Sequence, residues 1–393
     1  MMKKRLVQIL QYAFEHSYQF KNRIKESEVD INEIKTINDL EQIPILKKED
    51  LPELQKIAYP FGEIATVKKE EMARIFMSPG PIYDPQTDDG DYFRFSEALM
   101  AAGFTENDIV QNTFSYHLSP AGFMFDSALR KLKATVIPAG VGNRELQIQI
   151  MKDLQVTGYV GTPSFLVQLL ELAEEKGWEI GRDLSLTKAF FTAEKLTDER
   201  RQKFEEIGIS VYEGYGTADV GCIAYEDAKG PGLKLASGAI VQICDPISGK
   251  EVMDTEGEVV VTLLDEKYPL IRFGTGDLSC WVKGHEGSRI TGILGRVGSS
   301  VKVKGMFVHE RQLTDILQSL GILNYQAVVT DKNGNDHFEI FVETDETISD
   351  ITISKIKDVI RVTPIVTKVE NGSINKGQKK LVDEREWKKS IPS

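Results

Sequence analysis

The sequence predicts an α/β protein: a large multi-layer α/β domain with a β subdomain, followed by a small α+β domain at the C-terminal end. Three observations lead there. From Ile109 to about Gly216 short apolar runs alternate with helical patterns, the texture of parallel strands joined by crossover helices. After Gly216 strand-like runs follow one another through turn-rich pieces, and beyond about Val297 comes a shorter α+β stretch. The boundaries read this way are 1–295, with the β subdomain at about 222–295, and 296–393. A chain of 393 residues has room for two or three domains.

In chain order, Leu6, Ile9, Leu10, Ala13 and Phe14 recur at helical spacing between polar residues, which predicts an amphipathic helix and not a signal peptide. The strand–helix alternation then runs DIVQNTF, PAGFMFDSALRKL, ATVIP, RELQIQIMKDL, TGYVG, PSFLVQLLELAEEKG, TKAFFT, DERRQKFEEIG and ISVYEG. Thr162 as N-cap, Pro163 in the first turn and Gly177 past the end bound one helix. Thr197, followed by Asp198 and Glu199, starts the next and puts negative charge at its positive pole. KLASGAIVQICDP, EVVVTLL, PLIRF and SRITGIL read as antiparallel sheet. In the last stretch QAVVTD, HFEIFVE and PIVTKVE read as strands and TISKIKDVI as a helix.

Composition narrows the function classes. Lys plus Arg number 48 against 60 Asp plus Glu, a net charge of −12, which argues against nucleic acid as the main partner. No stretch approaches the ~18 apolar residues of a membrane span. Cys222, Cys244 and Cys280 form no CxxC pair and read as packed thiols of a reducing, cytoplasmic setting.

Several segments carry candidate chemistry. AGVGNRE (Ala139 to Glu145) sits where a nucleotide-binding glycine turn would, but lacks the third glycine and is read as a tight turn needing positive φ at Gly140 or Gly142. In GYGTADVG, Tyr215 offers a flat ring and Asp219 an oxygen ligand for a hard cation. YPLIRFGTGDLS places Arg272 and Asp277 around a Gly-Thr-Gly turn, with Asp277 suited to a sugar diol, and Arg296 lies in GRVGSSVKVKG. SPGPIYDP (Ser78 to Pro85) has three prolines around Gly80; proline has no N–H, so this rigid turn is a poor phosphate cradle. His117 follows a strand, where α/β sheets bind ligands, although a structural hydrogen bond is the commoner fate of such a histidine. No GxSxG elbow supports a Ser-His-Asp hydrolase.

In order along the chain, these segments resemble the adenylate-forming superfamily and, within it, the phenylacetate-CoA ligase family. INEIKTINDLEQIPILKKEDL (Ile31 to Leu51) is similar to that family's Lys-Ser-Leu-Asp-Asp-Leu … Pro … Thr-Lys-x-Asp-Leu segment, and TAEKLT (Thr192 to Thr197) to its Gly-Ala-Glu-Pro adenine segment. EGYGTAD matches Asp-x-Tyr-Gly-x-Ser/Thr-Glu, with Glu213, Tyr215, Gly216 and Asp219 in register. PLIRFGTGD matches Pro-Val-Ile-Arg-Tyr-x-Thr-x-Asp, and ITGILGRVGSSVKVKG matches Ile-Thr-Gly-Arg-Ser-Asp-Asp-x-Leu-x-x-x-Gly.

The resemblance implies ATP-dependent activation of a carboxylic acid, aryl or fatty, to an acyl adenylate, then transfer to CoA or another thiol. It implies ATP/AMP, Mg²⁺ and CoA as ligands and leaves the oligomeric state open, a homodimer included. Carried over by motif, Tyr215 stacks on adenine with Ala193, Glu194 and Lys195 near its edge. Glu213 and Gly216 belong to the same nucleotide segment, Asp277 holds the ribose, Arg296 reaches ribose or phosphate, and Asp219 binds Mg²⁺. Phe114, Tyr116, His117 and Phe123 line the acyl pocket. The C-terminal domain is the mobile one, turning about a hinge near Val297 to Ser299.

The chain departs from the family pattern at three places. The Ser-Ser-Gly-Thr-Thr-Gly-x-Pro phosphate loop becomes SPGPIYDP, keeping Ser78 and Gly80 but losing both threonines and a glycine. Ala218 replaces a Ser/Thr, and the hinge aspartate position carries Gly298 or Ser299. INKGQKKLVD stands where the catalytic lysine is expected, with Lys379 preferred over Lys376. These changes threaten adenylation, so the alternative is an adenylation-deficient protein that binds a nucleotide or acyl adenylate and acts by binding or in an assembly.

Overall fold

A computed structural model of the chain describes residues 2–78, 81–88, 90–297, 300–303, 306–332, 335–344, 348–375 and 378–385. Its contacts divide it into two units: Met1–Thr255 with Val259–Thr275 and Cys280–Gly292, and Glu256–Glu258 with Gly276–Ser279 and Ile293–Ser393. Among the described residues no helix is long and apolar enough to cross a membrane.

The first unit is built on a sheet whose parallel part contains β1 (Ile109–Asn112), β2 (Thr135–Pro138), β3 (Gly158–Gly161), β4 (Lys188–Phe191) and β5 (Ser210–Thr217), in the order β5-β4-β3-β1-β2. Register is continuous across the centre, with Val160 opposite Phe190 and Phe190 opposite Tyr212. Every residue of β3 is buried, because helices cover both faces of a parallel sheet and leave no alternation for the sequence to show. The crossovers are α1 (Ala121–Lys131), α2 (Arg144–Asp153), α3 (Pro163–Glu175) and α4 (Asp198–Glu206).

The signals for α3 act as expected. The Thr162 side chain accepts from the Phe165 N–H, the helix buries Leu166, Leu169 and Ala173, and Gly177 takes φ +71° beyond its end. Thr197 caps α4 through the Arg200 N–H. In AGVGNRE, Gly140 and Gly142 both have positive φ, and the Gln147 amide donates to both of their carbonyls at 2.9 and 2.8 Å, so a side chain of the protein itself secures this turn.

Past β5 the sheet continues antiparallel through Gly221–Tyr225, Leu233–Leu235 and Arg289–Ile290. The expected Gly-Thr-Gly turn is a correction: Phe273–Ser279 is one strand running through those glycines, and the bend falls just before it, at Arg272 with φ +48°. The N-terminal helix Met2–His16 buries Leu6, Ile9, Leu10 and Ala13 in a cluster with Ile240, Leu264 and Ile271, so its apolar stripe docks on the β subdomain.

In the second unit the strands Ile365–Val369, Asn335–Glu343, Asn324–Lys332 and Leu381–Asp383 lie in that order; the central pair is antiparallel and both outer strands run parallel to their neighbours. Helices Glu310–Ser319 and Asp350–Ile360 contribute Leu313, Leu317 and Ile356 to a core with Val329 and Ile340. The first of these helices was not among the sequence expectations.

Candidate functional site

The carboxyl ends of β4 and β5 hold the segment expected to meet adenine. Residues 192–197 leave β4 as a loop with Ala193 at φ +67°. The two acidic residues of the motifs secure this loop. Glu194 accepts from the Ser164 hydroxyl at 2.5 Å and pairs with Arg200, while Glu213, on β5, accepts from the Leu196 N–H at 3.2 Å. Burial raises the Glu213 carboxyl above its ordinary range. A raised carboxyl contributes stability at low pH that is lost as pH climbs past its ordinary value. Glu213→Gln keeps an acceptor for Leu196 and removes this loss, so its Tm should match wild type at pH 4 and exceed it at pH 8. Calorimetric melts across that range check the crossover, and a variant less stable at pH 8 would refute it.

Tyr215 is 8% exposed, and its hydroxyl bonds Thr275 Oγ1 at 3.2 Å, which in turn donates to the Val259 carbonyl. A bulge between Tyr215 and Gly216 sets the ring's direction. Gly216 allows that bulge, since a Cβ there would overlap the Gly221 carbonyl oxygen and lie 2.9 Å from the Phe95 ring.

The segment matched to the phosphate loop is a hairpin. Ile82–Gln86 pairs with Arg74–Ser78, Ser78 standing opposite Ile82, and the Ser78 hydroxyl faces the Ile82 carbonyl at 3.5 Å. Gly80, expected at the nucleotide, lies outside the described residues, as does Pro79. The Tyr83 N–H is taken by Gln55 Oε1 at 2.8 Å, and the Gln55 amide donates back to the Tyr83 carbonyl.

Against this hairpin sits a charge cluster the sequence reading missed. Lys48 Nζ lies 2.5 Å from Asp219 Oδ2, and Asp219 itself is buried. Asp84 is buried beside it, its carboxyl raised well above the ordinary range by burial first and by the Asp219 charge second. Both Asp84 oxygens and Asp219 Oδ1 make no hydrogen bond of normal geometry. Among the described residues no group of three or more His, Cys, Asp or Glu side chains gathers to hold a metal. The signals were present: Lys48 aligns with the lysine of Thr-Lys-x-Asp-Leu, and Asp84 with the variable position of Gly-x-Pro.

At the end of β1 the Asn112 amide donates to the Tyr116 hydroxyl and the Gly122 carbonyl, both at 2.8 Å, folding the loop back on α1. Tyr116 meets Phe123 edge-on at 5.2 Å, and a Cβ on Gly122 would lie 2.7 Å from the Tyr116 ring. Phe114 is stacked on Phe125 at 5.0 Å within the core, whereas His117 is exposed. The four expected acyl-pocket residues therefore separate into a Tyr116–Phe123 pair, a core ring and a surface imidazole.

In the second unit Arg296 Nε donates to Asp277 Oδ1 at 3.0 Å, from the strand position directly opposite. Lys379 is exposed just before the strand Leu381–Asp383, its carbonyl accepting from Gln326 Nε2 at 3.2 Å. Lys376 and the hinge positions Gly298 and Ser299 lie outside the described residues. Arg272, from the same segment as Asp277, is buried and donates to the Leu40, Ile43 and Gly249 carbonyls. It braces the β subdomain.

With a parallel sheet that carries the loop 192–197 and a Tyr-Gly bulge at its carboxyl ends, the fold is that of the adenylate-forming CoA ligases. The chain is similar to an open conformation of 2-hydroxyisobutyryl-CoA ligase in complex with 2-HIB-AMP and CoA, with a TM-score of 0.85 and 22% identity over 97% of this chain and 90% of that one. ATP-bound MatB from Rhodopseudomonas palustris matches with a TM-score of 0.51 and 16% identity over 81% of this chain and 67% of that one. Residues 104–262 match the model of the family described as AMP-binding enzyme. In sequence the chain is similar to phenylacetate-coenzyme A ligases. It is 28% identical to that of Pseudomonas putida over 366 residues, covering 86% of this chain and 80% of that protein. It is 27% identical to that of Escherichia coli K12 over 414 residues, covering 96% and 92%. The resemblance read from the ordered motifs is borne out.

Proposed function

We propose that this chain is an AMP-forming acid–CoA ligase acting on an aryl or fatty carboxylic acid. The observation that carries the reading is the loop 192–197 fastened to β5 by Leu196 and Glu213, beside the Tyr215 bulge. In the first half-reaction a carboxylate oxygen attacks the α-phosphorus of ATP and pyrophosphate leaves. In the second the thiol sulfur of CoA, or of a carrier, attacks the acyl carbon and AMP leaves.

Tyr215 supplies the face on which adenine stacks, and the backbone of Ala193, Glu194 and Lys195 borders its edge. Glu213 and Gly216 hold that arrangement in place. Asp277 receives the ribose hydroxyls and Arg296 the ribose or phosphate, while Ser78 and Gly80 border the phosphates. Tyr116 and Phe123, with Phe114 behind them and His117 at the rim, line the acyl side. Lys379 brings positive charge to the reacting oxygens, carried by a C-terminal domain, 296–393, that turns against 1–295 between the half-reactions. Mg²⁺, when bound, neutralises phosphate charge, and the buried, orphaned Asp219 Oδ1 suits a hard cation.

The test is ATP–pyrophosphate exchange over a panel of aryl and fatty acids, followed by CoA-dependent release of AMP from the acid that exchanges. Exchange with at least one acid is expected; none with any acid removes the ligase reading. The second reading, binding without adenylation, is favoured by the hairpin at 74–86 and the engaged Tyr83 N–H. Tight AMP binding without exchange would select it.

A further inference from the structure

The cluster of Lys48, Asp84 and Asp219 packs two carboxyl groups beside one ammonium in a buried place. Within that place Asp84 Oδ1, Asp84 Oδ2 and Asp219 Oδ1 all lack a hydrogen-bond donor of normal geometry. Unpaired buried acceptors are costly, and three of them gathered in one place suit something positive. Lys48 already spans to Asp219 Oδ2, so the unanswered acceptors are Asp219 Oδ1 and the two Asp84 oxygens. Magnesium is held by one or two carboxylates, its other positions going to water and substrate phosphate. Asp84 comes from the strand that follows the turn in SPGPIYDP, where free N–H donors for a phosphate are scarce.

We infer that Asp84 is a second carboxylate ligand of the divalent cation, shared with Asp219, and that Lys48 balances the remaining charge. The two-carboxylate seat moves charge neutralisation from loop donors onto a more firmly held cation. The inference rests on the ligase reading for its purpose, but its test needs neither ATP nor acid.

The probe is Mn²⁺ alone, titrated into the full chain and followed by the electron paramagnetic resonance signal of the free ion. Wild type is expected to bind in a saturable way, with Asp84→Asn and Asp219→Asn each weakening affinity at least about tenfold. Lys48→Met leaves both carboxylates and removes their counter-charge, so Mn²⁺ should raise its Tm more than that of wild type. This second arm serves if Asp84→Asn does not fold. Equal affinity in wild type and Asp84→Asn, no saturable binding by wild type, or no added Tm gain in Lys48→Met would each overturn the assignment. Pyrophosphate exchange that fails beside Mn²⁺ binding that needs both carboxylates would sink the ligase reading and leave this one standing.

Discussion

Arg272→Met should destabilise the first unit by about 3–5 kcal/mol, the cost of removing a buried charged group that bonds several backbone carbonyls. The guanidinium donates to Leu40 O at 3.1 Å, Ile43 O at 2.9 Å and Gly249 O at 2.5 Å, joining three segments far apart in the chain. Methionine fills much of the volume but takes the donor from the Ile43 and Gly249 carbonyls in a place water barely reaches, while the Leu40 carbonyl keeps the Ile43 N–H at 2.9 Å. One effect opposes the loss. Arg23 is held down to about 9, by burial first and by the charge of Arg272 second, so removing Arg272 relieves part of that repulsion. Arg272→Lys should recover only part of the stability, since one ammonium cannot reproduce a planar fork aimed at three acceptors. Urea unfolding checks both variants; a loss under about 1 kcal/mol for the methionine variant would show that the carbonyls find other donors.

Arg272 also marks where sequence reading stops. The parallel strands were legible because each is a short apolar run between helical patterns, and the α3 boundaries because Thr162, Pro163 and Gly177 act locally. Tyr215 and Asp219 were singled out by the order of the motifs. What depends on distant partners was not. The glutamates of the adenine and Tyr-Gly segments look like ligand residues in a linear motif, yet Glu194 and Glu213 hold a loop through Ser164, Arg200 and Leu196. Phe114 and His117 sit three residues apart, and only the fold sends one into the core beside Phe125 and the other to the surface. Lys48 and Asp219 are 171 positions apart, so neither carries a sign of the other. The helix Glu310–Ser319 does carry apolar positions at Leu313, Ile316 and Leu317, a periodicity obscured by the glycine- and valine-rich stretch before it.

Gly216→Ala should lower the rate of adenylate formation about a hundredfold, while Tyr215→Phe stays within about fivefold of wild type. The contrast separates the placement of the ring from its hydroxyl. Alanine at 216 cannot be accommodated by a side-chain shift, because its methyl would overlap the backbone oxygen of Gly221 in the neighbouring strand and crowd Phe95. Relief requires moving the bulge, and the bulge is what directs Tyr215. In the proposed function a ring displaced by about an ångström would no longer stack adenine where the α-phosphorus meets the acid, and misplacement of that size costs about two orders of magnitude. Tyr215→Phe removes only the bond to Thr275 Oγ1 at 3.2 Å, worth about 1 kcal/mol, and Thr275 keeps its own bond to the Val259 carbonyl. Pyrophosphate exchange measured against ATP concentration distinguishes the two, with the alanine variant losing kcat/KM and the phenylalanine variant nearly unchanged. If Gly216→Ala folds and exchanges like wild type, the ring at 215 does not position the nucleotide, and the site must be sought elsewhere along the carboxyl ends of the sheet.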